Sequence, residues 1–466
     1  MGNKWNYLPF TEAVEVNPSV PLQRGKIYPF VDMKAVESSS RGASESEFRE
    51  FKSGGARFMP FDTLMARITP CLENGKIARY IPSEGVGGPA FGSTEFIVIR
   101  GREGITDNDY AYYLTKWEEF RQFAISQMTG SSGRQRVPAD SLAKFIAPVP
   151  ESLSEQRAIA HILGSLDDKI ELNRQMNRTL EAMAQALFKR WFIDFDPVVV
   201  NALRAGNPIP DQFAQRACLR RSLGRQAAHY RDNPGALRLP EDLLRQFPDR
   251  FQDSELGPIP EGWEAQKLGN VIDIHDNKRI PLNSRQRAER KGPYRYYGAS
   301  GIMDYVDDYI FDGTYILVGE DGTVIDKVDH PVVQYVWGKF WVNNHAHVLS
   351  GKNGVSNEHL YLILKNTNVR PFVTGAVQPK ISQTNLKRIP IILPNEEVRN
   401  SFSDFIEPSF LKYKENSEET ILLEKLRDTL LPKLVSGELR LSAAALETLA
   451  AQAGVPDAEK LLEGVE

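Results

Sequence analysis

Cysteines and long apolar runs are both scarce in this chain of 466 residues. The two cysteines, Cys71 and Cys218, lie far apart without a CxxC pair. That usage fits a reducing cytoplasm and excludes a thiolate zinc site. No stretch of about 18 apolar residues is present, which excludes a membrane-spanning helix. The first residues also lack the charged and then apolar pattern of a signal peptide, so we expect a cytoplasmic protein.

Motifs for catalysis and for cofactors are also missing. The chain has no G-x-x-x-x-G-K-[ST] phosphate loop, no Asp/Asn-Pro-Pro-aromatic tetrapeptide of an amino-methyltransferase, and no paired-acid-plus-lysine nuclease pattern. His345 and His347 alternate along a strand-like segment and would share one face, but no third ligand is near them in the sequence. We therefore expect no catalytic residue, no metal and no cofactor on this chain.

Composition indicates an ordinary globular protein with an uneven distribution of charge. Apolar residues make up 41% and charged residues 25% of the chain, and the length predicts two or more domains. The net charge of −4 does not indicate a nucleic-acid partner. However, the segments 278–295 and 204–231 are locally rich in arginine and lysine, and local charge decides which partners bind.

Two ordered copies of one pattern follow each other along the chain, roughly 250 residues apart. The paired segments are Trp5-x4-Phe10 with Trp263-x4-Leu268, Phe61-Asp62 with Phe311-Asp312, Gly101-x2-Gly104 with Gly351-x2-Gly354, and Val137 with Ile381. Each copy reads as mixed, strand-rich structure with one helical stretch, 107–127 in the first and 357–365 in the second. Each copy then runs into a long helical pattern. Such a duplication suggests a protein that reads two things at a fixed separation.

The two long helices are predicted at Glu155–Phe192, with Ser154 as the cap, and at Val398–Leu434. Alternating steps of three and four residues are typical of a coiled-coil seam. The seam positions are Ile159, Leu163, Leu166, Ile170, Asn173, Asn177, Leu180 and Leu187 in the first helix, and Phe402, Phe405, Leu423, Leu426 and Leu430 in the second. Both seams are apolar at their ends and polar in the middle, which favours antiparallel packing with Asn173 and Asn177 fixing the register. The alternative is that each helix covers its own domain.

The central region resembles that of type I restriction-modification specificity subunits. The resemblance rests on the run Trp191–Val198, on Leu239-Pro-Glu, on Phe247–Phe251 and on Asp253–Trp263, and it extends to the helix start after Pro150 and to the ending Leu430–Leu439. It implies an α/β (α+β) fold with two target-recognition domains, related by pseudo-twofold symmetry and separated by two long antiparallel coiled-coil helices. The implied boundaries are 1–150 and 260–395 for the recognition domains, and 151–196 and 396–440 for the helices. Between the copies, the frequent prolines of 197–259 predict short helices in an irregular, partly mobile linker, and 441–466 is an acidic tail.

By the same resemblance, this chain is a non-catalytic specificity subunit. Each recognition domain would read one half of a gapped double-stranded DNA target. The helices would set the gap and dock modification subunits, of which the resemblance implies two. Restriction subunits would complete the assembly. S-adenosylmethionine, ATP and Mg²⁺ would be bound by those partners and not by this chain.

Candidate DNA contacts follow from the chemistry of base edges and phosphates, which need arginine, lysine, glutamine or asparagine side chains. Two glycine-rich, basic loops at matching positions are the first choice. The candidates there are Arg134, Gln135 and Arg136 in the first copy and Gln378 and Lys380 in the second. The remaining candidates are Arg67, Lys76 and Arg79 in the first copy and Lys278, Arg279, Arg285, Arg287, Arg295, Tyr296 and Tyr297 in the second.

Two other functions fit parts of the pattern. A stand-alone DNA-binding regulator of two half-sites would work without partners. A protein-binding scaffold would associate with DNA only weakly and without salt dependence, whereas phosphate contacts weaken steeply as salt rises.

Overall fold

A computed structural model describes residues 4–131, 133–226, 239–375 and 377–440. The described residues divide into two compact units, one formed by those up to 176 together with those from 416 onward, and the other by those between 177 and 415. Both boundaries fall inside the long helices. Each unit therefore contains one α/β module and one half of each helix.

The first unit is built on eleven strands. They are β1 (Trp5–Pro9), β2 (Val14–Val16), β3 (Ile27–Val31), β4 (Gly42–Ala43), β5 (Glu47–Glu50), β6 (Ala56–Phe58), β7 (Thr63–Ala66), β8 (Ile77–Tyr80), β9 (Ala90–Gly92), β10 (Phe96–Gly101) and β11 (Ile146–Pro150). Its short helices are α1 (Phe10–Ala13), α2 (Asn108–Lys116) and α3 (Glu118–Ser126). The single helix expected over 107–127 is interrupted because Trp117 has extended backbone angles.

The second unit carries the remaining strands and most of the helices. The strands are β12 (Phe251–Gln252), β13 (Ile259–Pro260), β14 (Glu264–Lys267), β15 (Ile272–Ile274), β16 (Lys291–Tyr297), β17 (Ile302–Val306), β18 (Phe311–Asp312), β19 (Tyr315–Gly319), β20 (Val333–Val336), β21 (Lys339–Val342), β22 (Ala346–Gly351) and β23 (Pro390–Leu393). The helices are α5 (Asp196–Ala205), α6 (Ala214–Gln226), α7 (Glu241–Leu244), α8 (Ser284–Glu289), α9 (Asn357–Lys365) and α10 (Gln383–Arg388). Two long helices, α4 (Leu153–Phe188) and α11 (Glu396–Ser436), extend through both units.

The sheets of the two units have the same strand order. In the first unit the orders are β1-β11, β2-β10-β7-β8-β4 and β5-β3-β9-β6. In the second unit they are β14-β23, β15-β22-β19-β20 and β17-β16-β21-β18. The one parallel pair of each small sheet also matches, β3 with β9 and β16 with β21. The duplication expected from the sequence is therefore a duplication of fold, with β4 as an addition in the first unit and the β12-β13 pair as an addition in the second.

The repeated glycine at the end of β10 and of β22 is explained by a close approach of the backbone. A Cβ atom on Gly101 would lie 2.4 Å from the Thr106 carbonyl oxygen, and one on Gly351 would lie 2.1 Å from the Val355 oxygen. In both units an asparagine side chain, Asn108 or Asn357, accepts a hydrogen bond from that glycine N–H. Only glycine fits this turn, which is why the pattern survives in both copies.

In the first unit the long helices pack antiparallel, through apolar side chains at one end and polar contacts further along. Asn173 donates to Glu419 at 2.8 Å, and Arg427 donates to Asp167 at 2.8 Å. Asp167 also accepts from the Tyr113 hydroxyl at 2.8 Å, which ties the helix pair to α2. The predicted seam residues of this half, Ile159, Leu163, Leu166, Ile170 and Asn173, are all buried. The helix is capped by Ser152 and not by Ser154, because the Ser152 hydroxyl accepts from the Glu155 N–H.

In the second unit the helix contact is aromatic. Phe402 packs against Phe192 and Trp191, with ring centroids 4.7 and 5.4 Å apart. Leu187 is buried, Leu180 is half-buried, and half-buried Asn177 donates to the Tyr413 carbonyl at 3.1 Å.

Two seam positions in α11 were predicted wrongly. Phe405 is 50% exposed and Leu426 is 47% exposed, whereas their neighbours Ile406 and Arg427 face inward. Because the inward-facing residues Asn416 and Arg427 are polar, the pattern of apolar side chains alone gives the wrong register for α11. Leu423 and Leu430 are half-buried at the edge of the contact.

The short helices expected in the region 197–259 are present as α5, α6 and α7, but the region is not an irregular linker as far as the structure describes it. Phe195, Val198, Phe213 and Phe247 belong to the core of the second unit. Phe195 and Phe247 pack on Trp263, which is 1% exposed, with ring centroids 5.6 and 6.4 Å away. Residues 227–238 and the tail 441–466 lie outside the described residues.

Candidate functional site

One loop recurs at the same place in both units, and we call the pair the reading loops. The first spans residues 130–135 and the second 375–379. Thr129 and Arg136 close the first loop with two backbone hydrogen bonds of 3.0 and 2.9 Å. Thr374 and Lys380 close the second in the same way, with both bonds at 2.8 Å. These are the glycine-rich loops that the sequence placed at matching positions.

The base of each reading loop is fastened to the segment that follows the central strand, β7 or β19. In the first unit the Val137 N–H donates to the Arg67 oxygen at 2.9 Å. In the second, the Ile381 N–H donates to the Glu320 oxygen, also at 2.9 Å. A further bond joins Gly322 to the Pro379 oxygen at 3.1 Å. Each loop therefore projects from a rigid base, as base recognition requires.

The tips of the reading loops carry side chains suited to base edges. Arg134 is exposed and Gln135 is half-buried. Val377 is 99% exposed, and Gln378 beside it is exposed as well. Arginine pairs with guanine, glutamine with adenine, and an apolar group with the thymine methyl.

The flanking cations Arg136 and Lys380 are exposed but already paired. Arg136 binds both oxygens of Glu95, at 2.7 to 3.0 Å. These bonds raise the pKa of Arg136 above its ordinary value. Lys380 lies 3.1 Å from Glu320. Such pairs hold the loops in place and leave the outer faces of the cations accessible.

An open cleft of about 520 Å³ lies beside the second reading loop. Its lining includes Asp321, Thr323, His345 and Gln378, together with residues 298–303. The His345 ring is hydrogen-bonded to the Asp321 carboxylate. In the sequence, His345 stands out only by its alternation with His347, and nothing there links it to Asp321. The cleft brings them together with Gln378 as one polar surface.

A buried ionic network lies beneath that cleft. Asp276, Glu320 and His347 bring ligand-type atoms within 4.8 Å of one another. Arg279 is inserted among them, 2.8 Å from Glu320 and 3.4 Å from Asp276. Burial alone would raise the pKa of Asp276, but its bonds to His347 and the Val348 N–H lower it overall. The cations already neutralise both carboxylates, so this cluster has the chemistry of an ion-pair network and not of a metal site.

Several predicted contact residues belong to the interior instead. Tyr296 is fully buried because β16 is an inner strand of its sheet. Its hydroxyl forms a hydrogen bond with the backbone of Leu282. Tyr297 is buried in the same way, and Arg79 is buried in an ion pair with Asp109. The sequence wrongly assigned these three to the outer surface.

The other candidates differ in how accessible they are. Arg279 belongs to the buried network, and half-buried Arg287 is paired with Asp304. Lys76 is half-buried and donates to the Met33 oxygen at 2.9 Å. Arg67 and Arg295 are also half-buried, whereas Lys278 and Arg285 are exposed. DNA contact by the accessible members of the set stays a prediction.

The similarity to known proteins includes both modules described above. The model of the family "Type I restriction modification DNA specificity domain" matches residues 69–182 and 260–421. These ranges cover both reading loops and most of both long helices. The chain belongs to this family. The two matched ranges correspond to the duplicated unit, so the family's domain is present twice.

Relatives with this family's name match most of the chain. The HindI specificity subunit of Haemophilus influenzae is 25% identical over 381 residues, which cover 74% of this chain and 81% of that protein. The MjaIX specificity subunit of Methanocaldococcus jannaschii is 26% identical and covers 73% and 70%. A shorter match of 38% identity joins 141 residues to the Haemophilus influenzae protein S.HindORF215P. That match spans about a third of the relative, 36% of its length.

A solved structure supports the fold. The crystal structure of a type I restriction-modification system S subunit from M. genitalium matches with a TM-score of 0.52 and 14% identity. The match covers 93% of this chain and 96% of that one. In the part of this chain that the structure describes, no helix is long and apolar enough to cross a membrane.

Proposed function

We propose that this chain is the DNA-specificity subunit of a type I restriction-modification complex, in which each unit reads one half of a bipartite target. One observation carries the proposal. The same reading loop occurs on the same strand order in both units, and the chain belongs to a family of DNA specificity domains. Two copies of a reader in one chain fit a target with two separate halves. A stand-alone regulator or a scaffold would not require this family membership.

The long helices are the spacer and the docking site for modification subunits in this proposal. With 36 and 41 residues, α4 and α11 extend roughly 54 and 62 Å at about 1.5 Å per residue. One turn of B-DNA is about 34 Å, so helices of this length suit readers about a turn apart. Catalysis belongs to the partners, which would bind S-adenosylmethionine, ATP and Mg²⁺.

The direct test is single-molecule sequencing of methylated bases in a host that expresses this chain with its candidate modification partner. We expect a bipartite methylated motif that disappears when only this chain is deleted. A motif that persists without the chain would contradict the specificity role.

Binding to DNA should depend steeply on salt. If the assembled complex contacts six to ten phosphates, its affinity should fall by roughly 10³ to 10⁵ between about 50 and 200 mM salt, because condensed counterions are released. Fluorescence anisotropy with a duplex that contains the motif would measure this. Lys278→Ala, at an exposed candidate position for a phosphate contact, should reduce the dependence, whereas Arg204→Ala, whose partner Glu241 is 2.9 Å away in the central region, should not. Salt-independent binding would favour the scaffold.

A further inference from the structure

We propose that His347 is a positioning residue for the second reading loop, and that the buried network around it determines how selectively the second half-site is read. This inference rests on the proposed function. His347 is 0% exposed on β22, so its side chain cannot touch DNA. Its effect must pass through the groups that it holds.

The His347 ring joins two separate segments of the second unit. Nδ1 lies 2.6 Å from an oxygen of Asp276, which follows β15. Nε2 lies 2.8 Å from the carbonyl oxygen of Ile381, directly after the reading loop. A carbonyl oxygen accepts, so the ring donates from Nε2 to Ile381, while Nδ1 and the Asp276 carboxylate share a second hydrogen bond. Glu320 also lies close to the ring, with a carboxylate oxygen 3.6 Å from Nδ1.

The same network holds the loop end at two more points. Lys380 pairs with Glu320 at 3.1 Å, and Gln383 donates to Asp276 at 2.7 Å. Arg279 completes the network by donating to Glu320 and, at 2.6 Å, to the Ala346 oxygen. Three positions just after the tip, 380, 381 and 383, are therefore tied to one buried cluster. Charged hydrogen bonds in a buried site are strong and directional, so the cluster limits where Gln378 can point.

The first unit has a different arrangement at the same strand position. Ile97 pairs with Met65 in β10 and β7, as His347 pairs with Val318 in β22 and β19. One residue later, the Val98 N–H donates to the Asn17 side chain, as the Val348 N–H donates to Asp276. An apolar residue and a neutral amide thus replace the histidine and the carboxylate. The first unit therefore shows which substitutions would remove the histidine–carboxylate arrangement from the second unit.

The test uses the full chain with its modification partner and compares three variants. His347→Ile with Asp276→Asn copies the first unit and removes both members of the buried pair, which costs less than removal of one. His347→Ile alone removes the histidine from Asp276 but leaves Arg279 and Gln383 beside it. Gln383→Ala, at an exposed position, removes one tie to Asp276 and should leave the core intact. Thermal unfolding reports whether each variant folds.

The readout is the set of methylated sites, scored separately for the two halves of the motif. We expect the double variant to lose selectivity at the second half by about 10-fold, Gln383→Ala to lose less, and the first half to stay as it is in all variants. An unchanged second half in a folded double variant, or in Gln383→Ala if the double variant does not fold, would overturn the proposal. A wild-type chain that yields no bipartite motif would instead overturn the proposed function.

Discussion

Removal of one heptad from each long helix, residues 170–176 and 416–422, is expected to shorten the gap in the DNA target by about three base pairs. Seven residues shorten a helix by roughly 10 Å at about 1.5 Å per residue, and B-DNA rises about 3.4 Å per base pair. Seven residues are also close to two full helical turns, so the faces of the helices keep their orientation within about 20°. The bases of both halves should not change.

The two deleted segments face each other, because the bond from Asn173 to Glu419 lies at the centre of both. The measurement is the methylated motif of a host that expresses the shortened chain with its partner. Methylation at the original spacing should fall to background. A control that keeps the length and changes only exposed positions, Leu172→Ala with Leu422→Ala, should keep the original gap. New half-site bases at the old spacing would contradict the spacer role.

Phe402→Ala is expected to lower the free energy of unfolding by about 3–5 kcal/mol, the usual cost of truncating a buried aromatic side chain. Phe402 is fully buried and contacts Trp191, Phe192 and His359, the last at a centroid distance of 5.0 Å. Burial lowers the pKa of His359 to about 3, with a smaller contribution from Arg399. That ring therefore stays neutral and packs as an apolar group.

Phe405→Ala is the matched control, because it removes the same side chain three residues away where half of it is exposed. We expect a loss of about 1 kcal/mol or less at such a position. Urea unfolding followed by tryptophan fluorescence is suitable, since Trp191 and Trp263 lie in the affected core. Equal losses for the two variants would show that the seam register of α11 is wrong.

The duplication, the helices and the reading loops were predictable because each depends on local pattern. The helix at Asn357–Lys365 matches the predicted range, and the predicted bounds of α4 and α11 are close to the observed ones. The loops were found because glycine, a basic residue and an amide recur before a strand in both copies. Such signals need no knowledge of which elements meet in space.

The errors arise where packing between distant segments decides the outcome. Tyr296 looked like part of a basic surface, but β17 and β21 flank its strand on both sides. Arg79 is buried because Asp109 compensates its charge, a partner that lies 30 positions away in the sequence. The network of Asp276, Glu320 and His347 was missed for the same reason, since its members come from three separate strand ends.

The most direct test of the central claim is a comparison of methylated motifs for two variants, one in each reading loop. Arg134→Ala with Gln135→Ala should relax only one half of the motif, and Val377→Ala with Gln378→Ala only the other half. Loss of a good base contact weakens discrimination by about 1–3 kcal/mol, or roughly 5- to 150-fold. If both variants alter the same half, or if neither alters the motif, the assignment of one half-site to each unit is contradicted.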